Sequence, residues 1–385
     1  MTQKFYDTII IGSGSIGTPL AWQLSEAGQN VLVIDQFASS GQGSNKEAIG
    51  GIRATHSDPV KIQLCLKSLE VFSSWKEKYG DDIGWKQGGY SFVAYRETEE
   101  KTLKDLLVIQ KKLGLEIDWY DNQDFLRIIP SLNPRGLLGG TFSPGDGSAS
   151  PMLANLAMER MARVGGAEFH FQEKIECLKT KGDKVIGVKT DKEDYYASTV
   201  VNAAGAWAKE ILLELNILLP ILPESHEGGI TEPVASFLGP MVVDIHPLEN
   251  SANNYFYQNH TGQVIFCITP NPSIPGMDRR ESSGFLPLVT RRMINLMPCL
   301  RNIKVRRTWR GLYPMTPDGQ PIVGQLNGIS GYLNAVGMCG QGFMLGPGLA
   351  VELRKWITGE DIESATKLLA PYTLYRDFGG TEQLK

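Results

Sequence analysis

Residues 7–35 constrain the fold more than any other stretch of the chain. Residues 7–11 read DTIII, a short apolar run rich in β-branched side chains, which suits a buried parallel strand. GSGSIG follows at once, and then TPLAWQLSEAGQ, in which Leu20, Ala21, Leu24 and Ala27 recur at helical spacing before Gly28 closes the helix. VLVID makes a second buried strand ending in Asp35. Strand, Gly-x-Gly-x-x-Gly, helix, strand and acid stand in the order and at the spacing of a dinucleotide-binding unit. Gly12 permits the tight turn, Gly14 lets backbone approach a pyrophosphate, and Gly17 lets helix and strand pack closely. The helix start offers unpaired N–H groups and a positive dipole end to an anion. Asp35 can accept hydrogen bonds from ribose hydroxyls, and its charge repels a 2′-phosphate.

Composition narrows the function classes. A chain of 385 residues has room for two domains. Its formal charge of −4 gives no support to a nucleic-acid partner. The five cysteines are odd in number and form no C-x-x-C pair, so neither a disulfide framework nor a metal site is expected. The N-terminus runs directly into the first strand, so no leader is expected. No apolar run reaches the roughly 18 residues of a membrane span. The expectation is a cytoplasmic chain, with peripheral contact at the inner face of a membrane left open.

After Asp35 comes a polar, Gly-rich loop without a clear period, of a length that is often functional. Residues 61–79 then read as an amphipathic helix, residues 88–97 as a strand and residues 97–113 as another helix. Prolines and glycines between residues 130 and 151 mark a domain crossing, and Pro151 opens a helix to about Val164. Residues 167–201 read as a small antiparallel set, then a buried strand, a small-residue turn at Ala203-Ala204-Gly205 and a helix. The block 220–305 holds strand-like pieces TEPVASF, PMVVDI, NYFYQ and QVIFCIT, and a helix near residues 286–300. In the last block Gly337, Gly340 and Gly342 precede a final helix, a second anion-favouring helix start.

Four segments together resemble the FAD-dependent amine and amino-acid oxidoreductases of the D-amino-acid-oxidase type, which include glycine oxidase, monomeric sarcosine oxidase and dye-linked proline dehydrogenase. They are IIIGSGSIG with VLVID, GSNKEAIGGIR, VVNAAGAWA, and TPDGQPIVG with VGMCGQGFMLGPGLA. The resemblance implies an α/β fold: a Rossmann-like FAD-binding domain from residues 1–86, 141–216 and 310–385, and a mixed-sheet α+β substrate domain from residues 87–140 and 217–309. FAD would lie extended. Gly12, Gly14, Ser15, Ile16 and Gly17 would hold its pyrophosphate, and Asp35 and Gln36 the adenosine ribose. Ser44, Asn45, Gly50, Gly51, Ala204 and Gly205 would follow along the cofactor. Gly337, Gly340, Gln341, Gly342, Phe343 and Met344 would lie along the flavin ring. Covalent family members attach the flavin through a cysteine where this chain has Gly311, or through a first-loop histidine where it reads SNKEA, so the FAD is expected to be non-covalent.

The resemblance also assigns the substrate side. Arg53 stands where sarcosine oxidase clamps a substrate carboxylate, and a guanidinium fork suits that task. Tyr313 falls at a family active-site tyrosine, and His56 lies close to Arg53 in sequence, although a lone histidine is more often structural. The family's second carboxylate-binding lysine is Met344 here, which argues against sarcosine itself. The implied reaction is hydride transfer to flavin N5 from the carbon beside an amine nitrogen, with hydrolysis of the imine; no strong general base is visible. The oxygen-activating lysine of the oxidases has no cationic counterpart in residues 262–269, where Ile265 or Phe266 would take its place, and His260 lies just upstream. A dehydrogenase with a quinone, dye or protein acceptor is therefore expected. The alternatives are a D-amino-acid or 2-hydroxy-acid oxidase or dehydrogenase, or a flavin-carrying electron-transfer subunit, and a homo- or hetero-oligomer is left open.

Overall fold

The computed structural model describes residues 4–380, Glu382 and Leu384. The first strand, Phe5–Ile11, pairs in parallel with Val31–Asp35 on one side (Ile9 opposite Leu32) and with Asp194–Asn202 on the other (Ile9 opposite Val200). Glu168–Phe171 extends the sheet in parallel beyond Val31–Asp35, and Ile329–Val336 lies parallel to Asp194–Asn202. Ile9, Ile10, Leu32, Val33 and Val200 are buried, which is why these runs are continuously apolar instead of alternating. The hairpins through Ile175–Lys181, Lys184–Thr190 and Asp194–Asn202 are antiparallel. The expected antiparallel set thus holds except for its first strand, Glu168–Phe171, which joins the parallel core instead, while its last, Asp194–Asn202, pairs antiparallel on one side and parallel on the other. The stretch after Ala204 is the 3-10 helix Gly205–Leu215.

Helix Gly17–Glu26 packs over this sheet together with Pro151–Val164 and Gly342–Thr358. Pro151 does open its helix, and Ser150 caps it by accepting from the Leu153 N–H. Close packing of the last helix depends on missing side chains. A Cβ on Gly346 would stand 1.8 Å from the Ser15 carbonyl oxygen, and one on Gly348 would stand 1.9 Å from that of Leu64.

Among the described residues a second eight-stranded sheet runs in the order Val305–Met315, Leu222–Pro233, Gln263–Pro270, Ser251–Gln258, Met241–Asp244, Tyr90–Ala94, Gly139–Ser143, Asp118–Asp121. It is antiparallel except where Met241–Asp244 meets Tyr90–Ala94. Helix Phe285–Leu296 covers one face through Val289, Met293 and Phe266. That helix ends at Leu296, short of the expected end, and a 3-10 turn Pro298–Asn302 follows. Strand Leu222–Pro233 is the larger departure, since only its end lies in the expected TEPVASF piece. Gly228-Gly229 lies mid-strand where neighbours come close: a Cβ would stand 2.7 Å from Ile49 Cδ1 at Gly228 and 2.4 Å from the Phe266 ring at Gly229.

Candidate active site

One continuous cavity is lined from both sheets. Its first end is built on the opening glycines. Gly12 has φ +100°, and a Cβ there would stand 2.7 Å from the Ala203 carbonyl oxygen; at Gly17 it would stand 1.9 Å from that of Gly12. Gly14 has nothing within 4 Å. Protein closes two of the three glycines, and the third opens onto the cavity beside Ser15 and Ile16. Asp35 is locked in place: Oδ2 accepts from the Ser13 N–H at 2.8 Å and the Ser13 hydroxyl at 2.7 Å, and Oδ1 accepts from the Phe37 N–H at 2.9 Å. A carboxylate has about four acceptor positions, so capacity remains toward the cavity.

Gln36, Ser44, Asn45, Gly50, Gly51, Ala204 and Gly205 line the same cavity, as do Gly340, Gln341, Gly342, Phe343 and Met344. Gly17 and Gly337 do not; Gly337 packs on Thr316. Asn45 Nδ2 donates to the Pro151 carbonyl at 3.1 Å and anchors the first loop. The Ser44 hydroxyl, Asn45 Oδ1 and Gln341 Oε1 are buried with no partner among the described residues. Buried polar atoms without partners are costly, which points to a ligand that satisfies them. A hydroxyl and two amide oxygens beside two helix starts fit the diphosphate, ribityl and flavin groups of FAD. Gly311 leaves no room for a linking cysteine, because a Cβ there would stand 2.6 Å from Glu47 Cβ.

Arg53 begins the second end. It is 5% exposed and follows the two-residue strand Gly51–Ile52, which pairs with Gly147–Ser148. Asp146 fixes the backbone just past it, accepting from the Ala54 N–H at 2.9 Å and the Thr55 hydroxyl at 2.8 Å. Burial raises the Asp146 pKa to about 6. Arg53 Nη2 donates to the Leu384 carbonyl at 2.5 Å, and Nη1 has no partner among the described residues. The rings of Tyr90 and Phe92 lie 5.8 and 5.4 Å from the guanidinium carbon.

Tyr313 is brought to the cavity, its hydroxyl 3.1 Å from that of Tyr255. Burial pushes both phenols above their ordinary range and the nearby Cys267 thiol to about 11. His226 also lines the cavity, its ring stacked on Tyr313 with centroids 3.7 Å apart and planes 12° from parallel. Sequence reasoning did not single it out, because no strand was expected before Thr231. Tyr255 was visible only as one aromatic in a strand-like piece.

His56 is not brought to the cavity. It is fully buried, with Nε2 3.5 Å from Cys65 Sγ. Burial, and then the Arg53 charge, hold its pKa well below the usual range, so it stays neutral. Beside it Lys61 Nζ lies 3.3 Å from Glu382, both side chains fully buried, and donates to the Gly319 carbonyl at 2.8 Å. On Gln263–Pro270 the residues facing the cavity are Cys267 and Thr269; Phe266 points to the other face, against Phe285. The expected apolar side chain over the site is therefore a thiol and a hydroxyl. His260 is at the surface beside Gly84.

Comparison with known proteins agrees with this geometry. In solved structures, the chain is similar to the L-proline dehydrogenase of P. horikoshii, with a TM-score of 0.89, 30% identity, and coverage of 97% of this chain and 98% of that one. It is 26% identical to the glycine oxidase of Geobacillus kaustophilus over 387 residues, covering 98% of this chain and 99% of the relative. It is 22% identical over 360 residues to the 4-methylaminobutanoate oxidase (formaldehyde-forming) of Paenarthrobacter nicotinovorans, covering 91% of this chain. The chain spans only 43% of that oxidase's length, and 42% of that of human dimethylglycine dehydrogenase. The profile of one family, described as FAD dependent oxidoreductase, matches residues 7–356, from the first strand into helix Gly342–Thr358, and the chain belongs to that family.

Proposed function

We propose that this chain oxidises an amino acid or secondary amine by hydride loss from the carbon beside nitrogen, the imine product then hydrolysing. A cyclic or N-alkyl amino acid such as proline is the leading substrate class. The observation that carries the reading is Arg53: a buried cation on the cavity wall with Nη1 unpartnered, which suits a substrate carboxylate. With Nη2 engaged by Leu384, the carboxylate contact rests on Nη1 and the fixed charge. Bound FAD would supply the two-electron acceptor at N5. The rings of Tyr90 and Phe92 shield the guanidinium from water, and the Tyr255–Tyr313 hydroxyl pair offers hydrogen bonds to the substrate.

We assign Ser44, Asn45 and Gln341 to FAD, held without a covalent link, and Asp35 to its ribose. The strands of the parallel sheet would form the FAD-binding domain and those of the second sheet the substrate domain. No cationic side chain of Gln263–Pro270 faces the cavity, which supports a dehydrogenase with an acceptor other than oxygen. Anaerobic titration of the FAD-loaded protein with L-proline, sarcosine, glycine, D-alanine and L-lactate tests the reading. Bleaching by an amino acid is expected. Bleaching by lactate alone would move the assignment to 2-hydroxy acids, and bleaching by none of them would sink it.

A further inference from the structure

We propose that His226 accepts the proton that an incoming substrate ammonium must lose before hydride can leave the neighbouring carbon. The proposal rests on the amine-oxidising reading above. His226 is 6% exposed on strand Leu222–Pro233, where the register places Glu224 opposite Tyr313 and His226 opposite Gly311. Directly opposed residues share a face, so His226, Tyr313 and Gly311 look into the cavity together. Both ring nitrogens are buried and neither has a hydrogen-bond partner among the described residues. The nearest carboxylate oxygen, on Glu224, is 3.9 Å from Nε2, beyond hydrogen-bond reach. Stacking on Tyr313 holds the ring in place without using either nitrogen. A fixed imidazole with two unspent nitrogens on a ligand cavity is a group whose partner is the ligand.

Its protonation state fits the role. The ionisable groups around it are Glu224 on its own strand, Tyr313 and Arg310 on the next, and Tyr255 and Cys267 across the cavity wall. Burial lowers its pKa, Glu224 opposes the shift, and Arg310 adds to it, so the imidazole is neutral and holds a lone pair. An amine substrate arrives protonated in neutral water, and its nitrogen lone pair is needed to expel hydride. In the step proposed, the ammonium N–H bond breaks and its electron pair stays on the substrate nitrogen. A new N–H bond forms on the imidazole, which later passes the proton to water. The C–H electron pair then leaves with the hydride to bound FAD, the oxidant of the proposed reaction.

The test is the rate of anaerobic flavin bleaching by L-proline and sarcosine as a function of pH, in native protein and in His226→Gln. Glutamine keeps a polar side chain but cannot take a proton. The variant should bleach on the order of a hundredfold more slowly near neutrality. The deficit should close as pH approaches the substrate amine's own pKa, where free amine no longer needs a base. Binding of furan-2-carboxylate, which carries no amine, should be unchanged. A variant with the native rate and pH profile, or with a deficit that pH does not relieve, would overturn the proposal. Should the variant not hold FAD, the native profile decides: an acid limb well below the amine pKa supports the role, and a limb at the amine pKa removes it. A native protein that no amine bleaches fails the functional reading instead.

Discussion

The two ends of the cavity are made in different ways. At the end proposed for FAD the frame is backbone: glycine turns, helix starts and an aspartate held by its own turn, drawn largely from a segment of some twenty-five residues, with a few unpartnered polar side chains added from elsewhere. At the end proposed for the substrate they are side chains from segments far apart in sequence: Arg53, which lies close to the buried Lys61–Glu382 pair through His56, and His226, Tyr255 and Tyr313, which hold one another by ring stacking and a hydroxyl pair. Backbone sites tolerate little change where atoms already touch and much where space is left open. Side-chain sites depend on partners elsewhere in the chain, so they are fragile at a distance.

Variants can break or sharpen that contrast. The largest effect is expected from Lys61→Met, which touches neither cavity end yet removes the cation 3.3 Å from buried Glu382 and leaves that carboxylate, among the described residues, only its hydrogen bonds from Ser57 and the Leu384 N–H. Breaking a buried pair costs about 3–5 kcal/mol, to be read as a lower denaturation midpoint. An unchanged midpoint would mean the cluster does not brace the Arg53 side. Gly17→Ala should cost about 3 kcal/mol, because the new methyl meets the Gly12 carbonyl at 1.9 Å and backbone must move. Arg53→Lys should raise the half-saturating concentration of a carboxylate substrate by about 2 kcal/mol, roughly thirtyfold, while FAD stays bound. Equal half-saturation in variant and native protein would remove Arg53 from the site.

Asp146→Asn isolates a pH effect. The folded pKa of Asp146 is raised to about 6, chiefly by burial. Its contribution to stability is therefore full below the unfolded carboxylate range, near 4, and is lost as pH rises through about 6. The native melting temperature should fall relative to the variant's across that window, and parallel curves would place the Asp146 carboxyl at an ordinary pKa. The smallest stability effect belongs to Gly14→Ala. With nothing within 4 Å, it should leave apoprotein stability within about 0.5 kcal/mol while weakening FAD retention. Gly14 and Gly17, three residues apart, would then separate ligand contact from packing.

Much of the cofactor end was legible in the sequence because its determinants are local. A strand, a glycine turn, a helix and an acid are neighbours along the chain, and each needs a particular residue type for its own geometry. The final helix was legible for the same reason, although not its approach to Ser15 and Leu64 through Gly346 and Gly348. Arg53 and Tyr313 were visible only through family resemblance, and His56, chosen for nearness in sequence, proved to lie in the buried cluster away from the cavity. His226 was not singled out, because no strand was expected before Thr231 and its neighbours Gly228 and Gly229 fit a strand only against the side chains of Ile49 and Phe266. What the sequence by itself determined was the parallel sheet and the glycine turn after its first strand, where φ, apolar period and spacing are properties of adjacent residues. Only the tertiary structure decided which histidine meets Tyr313, because strand register across the second sheet joins residues tens of positions apart, and which carbonyl meets Arg53, because the segment holding Leu384 returns from the far end of the chain; no local propensity encodes either contact.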